Sequence, residues 1–133
     1  MLSFMRRFTF TILFSVFALS AIALFAQDDL AQYQTWMKTA AGASRKANQA
    51  ITAKDTAAAA TEAGNMAAAF DSIATFWKAK GNSDAQNFAE TARDAGKAAA
   101  AATTSDAQAA ALQPVQATCN GCHAATRAGN NFK

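Results

Sequence analysis

Apolar residues recur at alternating steps of three and four along four stretches of the chain. The first stretch carries Leu30, Tyr33, Met37, Ala40, Ser44, Ala47 and Ile51. The second carries Ala59, Ala63, Met66, Phe70, Ile73 and Trp77. The third carries Ala85, Phe88, Ala92, Ala95, Ala99 and Ala102, and the fourth Leu112, Val115, Cys119, Cys122 and Thr126. Steps of three and four put such residues on one side of an α-helix. No stretch alternates with period two for long, so strands are not expected. The pattern predicts four helices sharing one apolar seam.

Polar punctuation fits that pattern. Asp28 or Asp29 can cap the first helix, and Asp55 the second, with Gly81 just past its end. Ser83 with Gln86, and Ser105 with Gln108, match the capping-box spacing. Gly129 can end the fourth helix. The links, at residues 52–55, 81–83 and 103–105, are short and force antiparallel neighbours. The expected fold is all-α, an antiparallel up-down-up-down four-helix bundle. Pro114 falls inside the fourth helix, where it should kink the helix or begin a second segment.

The first 26 residues differ from the rest. Arg6 and Arg7 precede an almost wholly apolar run from Phe8 to Phe25, with small residues behind it. That is a secretory signal pattern, with cleavage expected after Ala26 and an alternative site after Ala23. Residues 1–26 are therefore read as a leader and 27–133 as one domain, exported to the periplasm. If the leader is not cleaved it becomes a membrane anchor, since the run is just long enough to span a bilayer. The remainder is rich in Ala, a strong helix former. Removing the leader takes away two arginines and no acid, which lowers the formal net charge from +3 to +1. No basic tract remains, so nucleic acid is not an expected partner.

Cysteine usage adds chemistry to this bundle. The two cysteines fall in Cys119-Asn120-Gly121-Cys122-His123, which is the C-x-x-C-H spacing of covalent haem attachment. Thiols three apart on a helix lie on one side of it and can add to two vinyl groups on one porphyrin edge. The next histidine can then ligate the iron. A thioredoxin-like pair would sit near a βαβ pattern, and none is visible. A structural zinc site wants four ligands, and the chain offers two Cys and a single His. A local disulfide would close a tiny loop and constrain little of the unfolded chain. The reading is one haem c, covalent through Cys119 and Cys122, with His123 as axial ligand.

His123 is the only histidine, so the sixth iron position is Met, a weaker donor or open. Beyond the leader only Met37 and Met66 remain. In the expected bundle His123 lies near the end of helix four. Met37 is about 12–14 Å along helix one, and Met66 about 21 Å back from the end of helix two. Met37 is therefore the preferred ligand, with a core gap-filler as the alternative. The same geometry gathers Tyr33, Trp36, Phe70, Ile73, Phe76, Trp77 and Phe88 at the haem end, and leaves Ala at the other. Arg127, four residues after His123, can pair with a haem propionate or stay solvated. Two propionates would bring the net charge near −1.

On these residues the chain resembles the cytochrome c-prime family, the class II c-type cytochromes, including their low-spin relatives. The resemblance covers the whole exported part in architecture, and its residues concentrate in Cys119 to His123 and Arg127. The family motif continues with an aromatic before the arginine, where Thr126 stands here. Tyr33-Gln34-Thr35-Trp36-Met37-Lys38 is similar to the stretch that faces the distal side of the iron, so Trp36 or Met37 is the distal group. The resemblance implies a periplasmic electron carrier with redox partner proteins, and permits homodimers through helices one and two. The alternative function is a protein binding nitric oxide or carbon monoxide at an open iron. No acid–base pair marks an enzyme.

Overall fold

A computed structural model describes the backbone of residues 29–128 and 131–132, with side chains from 29 to 126. The leader and the caps assigned to Asp28 and Gly129 lie outside the described residues. The chain divides into two compact units, Met1–Gln34 and Thr35–Lys133. In the first, residues 29–34 are helical; Leu30 is exposed rather than on a core stripe, and Tyr33 is buried. The second holds the bundle.

Four helices follow in chain order: α1 (residues 29–52), α2 (Thr56–Ala79), α3 (Ser83–Ala101) and α4 (Ser105–Thr126). The fold is the expected four-helix bundle. α3 lies between α2 and α4, which themselves meet over little area. One end of the bundle is tied by polar groups. Gln108 of α4 donates from Nε2 to the Thr56 carbonyl at 2.9 Å and the Ala102 carbonyl at 3.4 Å. Lys54, after α1, pairs with Asp106 at 3.3 Å. The end of α1, the start of α2, the end of α3 and the start of α4 therefore share that end, as up-down-up-down order requires.

The chain ends α1 and α2 by the same device. Lys54 and Gly81 both adopt positive φ, 61° and 71°. Behind them the Asp55 amide donates to the Ala50 carbonyl at 2.9 Å, and the Asn82 amide to the Trp77 carbonyl at 3.1 Å. These are the long-range bonds of a Schellman ending, which satisfies carbonyls left over by the last turn. Asp55 caps α2 as expected, accepting from the Ala58 amide at 2.9 Å.

Two caps sit one residue earlier than their sequence spacing indicated. Asn82, not Ser83, accepts from the Ala85 amide at 3.0 Å. Thr104, not Ser105, accepts from the Ala107 amide at 3.2 Å. Asn and Thr are themselves good N-caps, so each serine becomes the first helical residue. Gln86 then turns along its helix to Glu90 at 3.0 Å, and Gln108 turns inward. Pro114 does not divide α4, which continues unbroken with the proline exposed. The Thr118 hydroxyl back-bonds to the Pro114 carbonyl at 2.8 Å.

The expectation of no strand fails after α4. Arg127–Ala128 (β1) and Asn131–Phe132 (β2) pair antiparallel, Arg127 opposite Phe132 and Ala128 opposite Asn131. Two-residue strands are too short to show a period in sequence, and only the turn-forming pair Gly129-Asn130 marks the place.

The core follows the predicted stripes with local shifts of phase in α3 and α4. Every predicted residue of α2 is buried. In α3 the buried set is Ala85, Ala89, Ala92, Ala95, Gly96 and Ala99, which leaves Phe88 and Ala102 half-buried at the stripe's edge. α2 and α3 approach closely at Gly96, where an added Cβ would meet the Ala63 carbonyl, the Ala67 Cβ and the Met66 Cε at 3.0 Å. In α4, Thr118 takes the core position and Cys119 is half-buried.

Candidate functional site

The end of the bundle opposite Gln108 holds the large side chains. α4 brings Thr118, Cys119, Cys122 and His123 to one small cavity of about 10 Å³. α1 supplies Met37, α2 supplies Phe70 and Ile73, and α3 supplies Phe88 and Ala89. Helical spacing explains the α4 set: positions 118, 119, 122 and 123 are one turn apart in pairs. The backbone under them is held by Thr126, a buried residue whose hydroxyl donates to the Cys122 carbonyl at 2.7 Å. The His123 Nε2 atom is buried as well.

Neither cysteine is in a disulfide; Cys122 is buried and Cys119 half-buried. Burial pushes the Cys119 thiol above its ordinary pKa, only partly offset by a backbone hydrogen bond. A nucleophilic redox cysteine has the opposite shift, so Cys119 is kept as a neutral thiol at pH 7. Among the described residues, no three His, Cys, Asp or Glu side chains form a group that could hold a metal ion. The cavity lining includes one imidazole, His123 on α4, and one thioether, Met37 on α1.

Seven of the residues singled out in sequence meet at this cavity: Met37, Phe70, Ile73, Phe88, Cys119, Cys122 and His123. Trp36 does not. It lines an open groove with Lys46 and Glu62, and meets Phe76 edge-on at 6.5 Å. Of Trp36 and Met37, Met37 is the one on the cavity wall. Trp77 is buried and packs edge-on against Phe76 at 5.2 Å. Met66 is fully buried beside the Gly96 crossing, a core position. The Arg127 side chain lies outside the described residues. Sequence reasoning missed Ala89 and Thr118 as wall residues. Each is four residues from a predicted seam position, Ala85 and Cys122, and that spacing was the available signal.

The donor set fits a covalent haem. Two thiols one turn apart, an adjacent imidazole and a thioether on the same cavity wall are the donor types that thioether attachment and axial ligation use. The cavity volume, room for one water, is far below the several hundred Å³ of a cofactor site, so a wall residue must move to admit a porphyrin.

No protein-family model, no curated protein and no solved structure matches the chain. No helix among the described residues is long and apolar enough to cross a membrane.

Proposed function

We propose that the chain is a c-type cytochrome of the cytochrome c-prime type, exported to the periplasm, that carries electrons to and from redox partner proteins. The observation that carries this reading is the convergence of Cys119, Cys122, His123 and Met37 on one apolar cavity. Bound haem supplies a one-electron ferric–ferrous couple. The chain's residues do the rest. Cys119 and Cys122 would hold the haem as thioethers, each thiol adding across one vinyl group with no oxidant required. His123 on α4 would supply a nitrogen ligand and Met37 on α1 a sulfur ligand. Phe70 and Ile73 exclude water, and a dry site favours the less charged ferrous state. Cys119, held as a neutral thiol, is protected from side reactions until attachment.

The apolar wall also supports the second reading, binding of nitric oxide or carbon monoxide at an open iron. One preparation separates the two. The chain is exported from cells with a working haem-attachment system, and its intact mass and ferric spectrum are recorded. The proposal expects the mass of one haem and the near-infrared band of sulfur–iron ligation. A haem-bearing protein with a high-spin spectrum gives the gas-binding reading instead. Protein without added haem mass rejects both.

A further inference from the structure

His123 projects from the last turn of α4. That helix ends at Thr126, and at Arg127 the chain is already extended in β1. The carbonyls of a last turn have no following helical amide to bond, and such turns fray. An imidazole on a fraying turn does not keep its direction. His123 nevertheless lines the cavity wall with its Nε2 atom buried. The turn before it is fixed by packing: the Phe88 ring rests on Gly121, where an added Cβ would lie 2.6 Å from the Phe88 Cε1.

Thr126 is the group placed to hold the last turn. Thr39, Thr52, Thr61, Thr75 and Thr91 also donate to the carbonyl four residues earlier, at 2.9 or 3.0 Å, but from exposed positions where water competes. Thr126 is 2 % exposed, and its hydroxyl donates to the Cys122 carbonyl at 2.7 Å. Away from water that bond is stronger, and no solvent replaces it. The Cys122 carbonyl shares a peptide plane with the His123 nitrogen, so fixing the one fixes the backbone that carries the imidazole. Threonine is stiff at χ1, and its two helical rotamers differ in where the hydroxyl points, so the bond selects one of them.

We infer that Thr126 is a positioning residue for His123: its hydroxyl clamps the Cys122 carbonyl, and with it the peptide plane and the helical turn from which the imidazole projects. That the imidazole then serves as an iron ligand rests on the haem reading; the clamp belongs to the chain alone.

The test uses the full chain exported from cells with a working haem-attachment system, as wild type, Thr126→Val and Thr126→Ser. Valine keeps the buried shape and removes the hydroxyl; serine keeps the hydroxyl. Intact mass is recorded first. In haem-bearing protein the ferric–ferrous midpoint potential is read. Losing the hydroxyl leaves the negative end of a buried carbonyl uncompensated, which favours ferric iron. Thr126→Val should therefore have a lower potential, and Thr126→Ser should stay at the wild-type value. An equal or higher potential in Thr126→Val, or a Thr126→Ser value that falls as far, overturns the clamp. Thr126→Ala takes the place of valine, with the same outcomes, if Thr126→Val is not helical by circular dichroism. Wild-type protein without haem mass rejects the cytochrome reading alone. The ring-proton NMR signals of His123, the single histidine, then judge Thr126. One sharp set in wild type and Thr126→Ser, against broadened or doubled signals in Thr126→Val, upholds the clamp, and matching signals in all three overturn it.

Discussion

The Cys119 thiol is the titrating group whose surroundings bear most directly on the site. Burial raises its pKa, so the folded chain holds that proton more tightly than the unfolded chain does. Stability from this group is therefore complete below the ordinary thiol pKa of about 8.5 and falls as pH rises above it. For the chain with free thiols, denaturation midpoints should be level from neutral pH to about 8 and decline beyond. Cys119→Ser should flatten that alkaline decline. Haem attachment should flatten it too, because a thioether has no proton to lose. An equal decline in the serine variant would assign the effect to another group. At this scale the grouping of Cys119, Cys122 and His123 on one side of α4 was legible in sequence, since residues three and four apart share a helix face. Trp36 against Met37 was not, because neighbours on a helix differ by 100° in direction and only the packed register chooses between them.

At the scale of the helices, two glycines with one sequence signature have opposite surroundings. An added Cβ at Gly64 meets nothing within 4 Å, whereas at Gly96 it meets a backbone carbonyl that cannot move aside. Gly64→Ala should stabilise the bundle by about 0.5–1 kcal/mol through helix propensity. Gly96→Val should destabilise it by about 1–3 kcal/mol by forcing α2 and α3 apart. Urea denaturation of both variants checks the pair, and a destabilised Gly64→Ala or an unaffected Gly96→Val would contradict the packing described. Helix count, length and most of the seam were readable, because a 3.6-residue period repeats over five or six turns. The caps slipped by one residue, since Asn82-Ser83 and Thr104-Ser105 each offer two good caps side by side. Backbone geometry chose the first of each pair.

Across the whole molecule, alanine closes the helices together at one end, and at the other larger side chains hold them around the cavity. Met37 sits at that second end, half-buried on α1. If it ligates the iron, Met37→Ala in haem-loaded protein should abolish the sulfur–iron band and allow carbon monoxide to bind. A stability loss of no more than about 2 kcal/mol is expected, the low end for a truncated methionine. An unchanged spectrum would show that Met37 is only wall. The amino-acid sequence by itself determined the four helices, their antiparallel order and the pairing of two thiols with a histidine, because these follow from periodicity, short links and local spacing. Tertiary structure alone decided which face of α1 meets that cavity and that Phe88 rests on Gly121. Those outcomes depend on how far each helix turns about its own axis when packed, and that rotation is set by neighbours distant in the chain.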